Sequence, residues 1–86
     1  MSITFTECAW EEHLYWHQQD QSILSRIHLL LREIQRHPFT GIGKPEPLRG
    51  PLAGTWSRRI DARHRLVYQV EKGRLIALQC RFHYGK

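Results

Sequence analysis

This sequence of 86 residues has no long apolar run, no low-complexity segment and only two cysteines. No stretch is long enough to cross a membrane and there is no signal peptide, so no membrane partner is expected. The two cysteines, Cys8 and Cys80, are too few for a disulfide framework, which favours reduced thiols and a cytoplasmic location. Because no repeat or linker divides the chain, residues 1–86 are expected to form one domain with a modest core.

Acidic residues are also scarce, at 8 against 13 lysines and arginines, which gives a net charge of +5. The imbalance lies in the second half of the chain. Residues 1–43 carry five acidic and three basic residues, whereas residues 44–86 carry three acidic and ten basic residues. The second half is therefore the expected anion-binding half, and nucleic acid is the commonest partner for such asymmetry.

Two helices are predicted in the first half of the chain. Thr6 is a suitable N-cap for a helix over residues 7–18. Asp20 or Ser22 caps a second helix, which runs to about residue 36. The second helix has an apolar stripe at helical spacing, which indicates a core-facing surface. The stripe consists of Ile23, Leu24, Ile27, Leu30, Leu31 and Ile34.

Arginine is concentrated in two strand-like runs, Trp56 to Ile60 and Arg65 to Val70, where it alternates with apolar residues. Alternation at period two predicts one apolar face and one cationic face, which suits a scaffold that presents positive charge to phosphate. An ordinary solvated sheet face is the alternative. Ile3 to Phe5 and Leu75 to Tyr84 are the first and last predicted strands.

The register of the last hairpin decides which side chains share a face. With a three-residue loop at Lys72 to Arg74, Val70 lies opposite Ile76 and Arg65 lies opposite Arg81. Like charges directly opposite each other are unfavourable, so such a face suggests a bound anion. The expected core face consists of Ile60, Leu66, Tyr68, Ile76, Leu78 and Phe82. The expected opposite face carries Arg59, Arg65, Arg81 and His83.

A carboxylate and a histidine near this face fit cleavage of RNA by its own 2′-hydroxyl. That reaction needs a base, an acid and cations that stabilise the charge on the phosphate. Glu46, held between two prolines, is the candidate base, and a salt-bridge partner for nearby cations is the equal alternative. His83 is the candidate acid, and Arg59 and Arg65 are the candidate phosphate clamps, because the arginine fork suits phosphate.

Other candidate contacts are less specific. Tyr84 and Trp56 could stack on RNA bases, with core packing as the alternative, which is favoured for Trp56. His13 and His17 have a metal-ligand spacing but lack a third ligand from the same motif, so no metal or cofactor is expected. The wider set of cations expected to bind RNA phosphate is Lys44, Arg49, Arg58, Arg59 and Arg81.

Nearly the whole chain resembles the YoeB-type toxins of the RelE superfamily. The motifs are together highly specific. They are L-Y-W at 14–16, P-F at 38–39, G-x-G-K-P-E-P-L at 41–48, W-S-R-R-I at 56–60, H-R-L-V-Y at 64–68 and C-R-x-H-Y at 80–84.

The resemblance implies an α+β fold, with two N-terminal helices packed on one face of a small twisted antiparallel sheet. It implies a metal-independent mRNA interferase that cuts mRNA in the ribosomal A site. By position, Glu46 resembles the general base, His83 the general acid, Arg59 and Arg65 the transition-state cations, and Tyr84 a residue that places the RNA. The implied partners are a YefM-like antitoxin, the ribosome and mRNA, and operator DNA through the antitoxin complex, with a homodimer left open.

Two positions depart from the family pattern. Arg49 replaces the usual lysine, and Gly85 and Lys86 extend the chain beyond the usual terminal tyrosine. The alternative functions are a non-catalytic module of the same fold that binds nucleic acid or docks an antitoxin, and a cationic structural subunit. Glu46 and His83 favour the nuclease, because phosphate binding alone needs neither residue.

Overall fold

Two helices and five strands make up residues 1–83, the part of the chain that the computed structural model describes. In chain order they are β1 (Ser2–Phe5), α1 (Glu7–Gln19), α2 (Gln21–Arg36), β2 (Glu46–Pro47), β3 (Trp56–Arg59), β4 (Arg65–Glu71) and β5 (Arg74–Gln79). A single 3-10 turn at Gly50–Leu52 lies between β2 and β3. Neither helix is of a length and apolarity that would allow it to cross a membrane.

Side-chain caps fix where both helices begin. The Thr6 hydroxyl accepts a hydrogen bond from the Ala9 N–H at 3.1 Å, which confirms the predicted cap of α1. Asp20 Oδ1 accepts hydrogen bonds from the N–H groups of Ser22 and Ile23, at 3.0 and 3.2 Å. Of the two candidate caps for α2, Asp20 is therefore the one used, and it alone connects the two helices.

The strands form one sheet in the order β1-β5-β4-β3-β2. The pairs β2–β3, β3–β4 and β4–β5 are antiparallel, whereas β1 runs parallel to β5. The expected α+β class is confirmed. The sheet is mixed rather than wholly antiparallel as expected, because β1 lies at its edge and runs parallel to β5.

The apolar stripe of α2 forms the centre of the core, as its spacing predicts. Leu24, Ile27, Leu30, Leu31 and Ile34 are all buried. On the sheet side they cluster with Ile60, Leu66 and Tyr68, which confirms these three predicted core positions. The remaining core residues of the cluster differ partly from expectation, and they are Ala9, Trp16, Leu75, Ala77 and Cys80.

The predicted register of the last hairpin is wrong near its turn. Lys72 and Gly73 form a two-residue turn with φ of 47° and 75°, the geometry of a tight hairpin. Val70 consequently pairs with Leu75 rather than Ile76. This shift of one residue brings Leu75 and Ala77 into the core in place of Ile76 and Leu78.

An irregularity between Val67 and Tyr68 then changes the register again, so that Val67 pairs with Gln79. Strand β5 ends there, five residues before the predicted end. Cys80 lies in the core, but Phe82 is 51 % exposed and is not the core residue that alternation predicted. After Gln79 the chain leaves the sheet, and its main chain forms hydrogen bonds with the side chains of Glu12, Trp16 and His64.

Candidate active site

Glu46, Arg59 and Arg65 lie on the face of the sheet that points away from the helices. Arg59 pairs directly with Arg65 between β3 and β4, and Glu46 pairs with Ser57 between β2 and β3. Paired residues share a face, and residues two apart on one strand share it too. Leu66 and Tyr68, on the alternate positions of β4, point into the core with the helices. The register therefore brings one carboxylate and two arginines together opposite the helical layer.

The main chain around Arg59 is held from two sides. Its N–H donates to the Gly43 carbonyl at 2.7 Å, and its carbonyl accepts from the Arg26 guanidinium at 3.1 Å. Gly43 has φ of 83°, and a Cβ at this position would lie 3.0 Å from Leu30 Cδ2. The glycine thus allows the loop before Glu46 to approach the sheet closely. The Arg59 side chain itself is exposed.

Arg58, predicted to be one of the cations that bind RNA phosphate, does not lie on this cationic face. It is fully buried on the helix side of the sheet, because it alternates with Arg59 along β3. Its guanidinium donates to the Tyr68 hydroxyl at 3.2 Å and to three main-chain carbonyls at 2.5 to 3.1 Å. Those carbonyls belong to His37, Thr40 and Ile42. Arg58 therefore holds the loop after α2 and is unavailable to a phosphate.

Tyr68 completes this buried polar cluster. Burial raises the pKa of Tyr68, although the neighbouring Arg58 acts in the opposite direction. The hydroxyl stays protonated and donates to the Pro38 carbonyl at 2.7 Å. Loop residues 37–42 are thereby anchored to β3 and β4, which sets where the chain enters β2 and Glu46.

His83 lies at the end of a segment that is fixed by hydrogen bonds from several elements. The Cys80 N–H donates to Glu12 Oε1 at 2.8 Å, and the Trp16 indole N–H donates to the Cys80 carbonyl at 2.8 Å. The Arg65 N–H donates to the Phe82 carbonyl at 3.0 Å. His83 thus follows directly after Phe82, so the main chain of the candidate acid lies near that of a candidate phosphate clamp.

His83 also borders a cleft of about 400 Å³ that is lined by Ala62, Arg63, His64 and Phe82. The turn that forms one wall is organised by Asp61, whose Oδ1 accepts from the N–H groups of Arg63 and His64 at 2.8 and 2.7 Å. The cleft therefore carries imidazole and guanidinium groups next to the start of β4.

Arg81 lies elsewhere than predicted. Its guanidinium stacks on the ring of Tyr15 in α1, with 3.5 Å between Cζ and the ring centroid. The expectation that Arg81 shares a face with Arg65 is wrong, since the segment leaves the ladder at Gln79. Lys44 and Arg49 are exposed on either side of β2. Tyr84 lies outside the described residues.

Cys80 and His13 carry side chains of the nucleophilic and metal-ligating types. Burial raises the pKa of the Cys80 thiol to about 12, so this cysteine is a packing residue. His13 contacts His28 of the other helix, with 3.0 Å between their Nε2 atoms, rather than forming a site with His17. Among residues 1–83, no group of three or more histidine, cysteine or acidic residues could hold a metal ion.

Trp56 is half-buried and packs against the core cluster, with its ring 4.7 Å from that of Phe39. The interpretation of Trp56 as a packing residue is therefore confirmed.

The sequence matches known proteins along nearly all of its length. A family model described as "YoeB-like toxin of bacterial type II toxin-antitoxin system" matches residues 5–84. The chain belongs to the YoeB toxin family. "Toxin YoeB" of Synechocystis is 52 % identical over 86 residues, with both chains covered completely. "Toxin YoeB" of Escherichia coli K12 is 45 % identical over 84 residues, covering 98 % of this chain and 100 % of the relative.

Solved structures of YoeB toxins have the same fold. A YoeB/ParE toxin from Agrobacterium tumefaciens superposes with a TM-score of 0.94 at 46 % identity, covering 98 % of this chain and 100 % of that one. A heterotetrameric YoeB-YefM toxin-antitoxin complex from Staphylococcus aureus contains a chain that superposes at 0.91, with 41 % identity and 98 % of each chain covered. The family membership and the α+β fold expected from the motifs are both confirmed.

Three residues that hold segment 80–82 in place are absent from the set of site residues predicted from the sequence. Glu12, Trp16 and His64 each form a hydrogen bond with a residue of segment 80–82. Two of them lie within the quoted motifs, L-Y-W and H-R-L-V-Y. Their positions in those motifs were the available signal, but only the fold reveals what they contact.

Proposed function

We propose that this YoeB-family toxin is a ribosome-dependent endoribonuclease that cuts mRNA in the ribosomal A site and so stops translation. The 2′-hydroxyl of the RNA loses its proton and attacks the adjacent phosphorus. The P–O5′ bond breaks and the leaving oxygen gains a proton. The products carry a 2′,3′-cyclic phosphate and a 5′-hydroxyl, so no metal is required by the bond-breaking step.

Glu46 is the proposed base and His83 the proposed acid, with Arg65 and Arg59 stabilising the charge that builds on the phosphate oxygens. The observation that carries this assignment is the strand register. It aligns Glu46, Arg59 and Arg65 on one face, and Arg65 bonds through its main chain to the residue before His83. A phosphate-binding module would need the cations but not an acid–base pair beside them.

The spacing on this face suits a phosphodiester between the side chains. Glu46 and Arg59 are diagonal neighbours across two strands, which corresponds to about 7–8 Å between their backbone positions. Arg65 is one strand further away, at a backbone distance of about 12 Å from Glu46 if neighbouring strands lie 4.8 Å apart. Side chains of this length can reach a shared phosphate from both sides.

RNA binding rests on a wider set of exposed cations and so weakens with salt. We assign Lys44, Arg49 and Arg59 to this set, since all three are exposed. We leave out Arg58, which is buried, and Arg81, whose guanidinium stacks on Tyr15. The role of Tyr84 in placing the RNA is proposed from the family motif alone.

The proposed partners follow from the family and from charge. YoeB–YefM complexes and a YoeB dimer are known from Staphylococcus aureus, which supports a YefM-like antitoxin and makes a homodimer a reasonable state of the free toxin. The complex with antitoxin is proposed to bind its operator DNA and to regulate its own operon. The site of action is the cytoplasm of a bacterium, where mRNA is translated.

Mapping of mRNA ends in a translating extract tests this function. Adding the protein should create new 5′ ends within the codon that occupies the A site, and the same RNA without ribosomes should stay intact. Once complexes are formed, EDTA in a buffer that keeps ribosomes intact should leave cleavage in place. Translation arrest without any new mRNA end would contradict the proposal and favour a non-catalytic binding module.

A further inference from the structure

We propose that His64 is a positioning residue for His83, acting as a neutral imidazole whose Nδ1 accepts a hydrogen bond from the main chain at Phe82. This inference deepens the function proposed above and rests on it. The distance from the Phe82 N–H nitrogen to His64 Nδ1 is 2.7 Å. An acceptor at Nδ1 requires the ring proton at Nε2, so the hydrogen bond selects one tautomer.

The main chain at Phe82 needs such support. Its φ is 66°, in the left-handed region that a bulky residue rarely adopts. The ring is 51 % exposed, so burial of the Phe82 side chain does not explain why the conformation is kept. A strained conformation persists where its surroundings over-determine it. Here the N–H is bonded to His64 and the carbonyl accepts from the Arg65 N–H at 3.0 Å.

The imidazole is itself fixed in place. His64 is 9 % exposed, and Trp16 packs edge-on against its ring with 4.8 Å between centroids. Asp61 holds the main chain of His64 through the turn, and Trp16 also bonds to the Cys80 carbonyl. His64 therefore links α1, the turn after β3 and the segment that ends in His83.

The geometry assigns the positioning role to the Nδ1 atom of His64 rather than to the bulk of its ring. Without an acceptor at this point, the Phe82 N–H loses its partner. The left-handed conformation then keeps only the hydrogen bonds to the Phe82 carbonyl, from the Arg65 N–H and from Gln79 Nε2. His83 follows immediately, so a change at Phe82 moves the proposed acid. A displacement of about 1 Å at a reacting group can lower a rate by about 100-fold.

Asparagine and leucine at position 64 separate the acceptor from the shape of the side chain. The two side chains branch alike, and Oδ1 of asparagine can lie near the position of Nδ1. We expect His64→Leu to lower the single-turnover cleavage rate on programmed ribosomes by about 10- to 100-fold. His64→Asn should stay within about threefold of the unchanged protein, and ribosome binding should change less than twofold in either variant.

Equal rates for the two variants, whether normal or reduced, would overturn the inference, as would a loss of ribosome binding that matches the loss of cleavage. NMR of the free, full-length protein gives a readout that is independent of activity. The ¹⁵N shifts of His64 should be those of the Nε2–H tautomer, and the amide and ring signals of His83 should move in His64→Leu but not in His64→Asn.

This second readout separates the two proposals. If the unchanged protein cuts no mRNA, the nuclease proposal fails, and the NMR comparison still decides whether His64 positions His83. Unmoved His83 signals in a folded His64→Leu protein would refute the positioning role, whatever the activity.

Discussion

Two adjacent arginines, Arg58 and Arg59, should respond in opposite ways to the same substitution. Arg58 is fully buried and makes four hydrogen bonds, whereas Arg59 is exposed and lies on the proposed RNA-binding face. Methionine removes the charge from either residue while keeping an unbranched side chain. The pair is therefore a matched test of which arginine belongs to the fold and which to the site.

The expected loss for Arg58→Met follows from its partners. A hydrogen bond from a charged donor contributes about 1.5–3 kcal/mol, and an abandoned buried acceptor costs a similar amount. Three of the four acceptors are carbonyls of exposed residues in loop 37–42, which water can reach if the loop opens. We therefore expect a loss of about 2–4 kcal/mol in the free energy of unfolding, well below the sum of four bonds.

Urea unfolding followed by far-UV circular dichroism measures this loss. Arg59→Met should change the free energy of unfolding by less than about 0.5 kcal/mol, as exposed substitutions usually do, while lowering cleavage on ribosomes. Arg58→Lys should also be destabilised, because an ammonium cannot reproduce the planar fork that reaches separate carbonyls. Equal stability of Arg58→Met and Arg59→Met would refute the buried role of Arg58.

Further outcomes are expected in the core, in the helical hairpin and at the antitoxin interface. Leu30→Ala should lower the free energy of unfolding by about 2–5 kcal/mol, because Leu30 is fully buried, and a loss near zero in urea titrations would refute the packing of α2. The pKa of His13 is lowered, chiefly by its partial burial and to a smaller extent by the charges of the neighbouring His28 and His17. The unfolded state then binds more protons below about pH 6.5, so stability is lost as the pH falls through this range, and His13→Gln should weaken that dependence. An acidic antitoxin segment should fold over the region of Glu46, Arg65 and His83, and hydrogen exchange that is slowed only in the helices would contradict this.

The helices and the cationic face could be predicted because their signals are local. The caps Thr6 and Asp20 and the stripe of α2 depend on residues only a few positions apart. Period-two alternation on β3 and β4 likewise gave the core positions Ile60, Leu66 and Tyr68. Where one face of a helix or strand is strongly apolar, the sequence pattern predicts which face points into the core.

The end of β5 could not be predicted in the same way, because register depends on turn length and on an irregularity in the partner strand. A two-residue turn at Lys72 and Gly73 instead of a three-residue loop moved Leu75 and Ala77 into the core. The course of residues 80–83 follows contacts with Glu12, Trp16 and His64, which are distant in sequence. No local pattern contains that information.

The prediction that Arg58 binds phosphate was wrong, although its position in the alternation along β3 pointed to the core. It shares its face of β3 with Trp56 and Ile60, so alternation placed it in the core from the start. Composition suggested otherwise, since a cluster of arginines is usually read as one charged surface. A buried arginine is tolerated here because main-chain carbonyls and the Tyr68 hydroxyl accept from its guanidinium.

Single-turnover cleavage of mRNA on programmed ribosomes by Glu46→Ala and His83→Ala tests the central claim most directly. Removing a general base or acid lowers a rate by about 10²–10⁴-fold, so both variants should cut far more slowly while still binding the ribosome. Arg65→Ala should behave likewise, since its charge acts on the transition state. The products of the unchanged protein should end in a 2′,3′-cyclic phosphate or in the 3′-phosphate formed by its hydrolysis. Near-normal cleavage by both Glu46→Ala and His83→Ala, or products that end in a 3′-hydroxyl, would contradict the account.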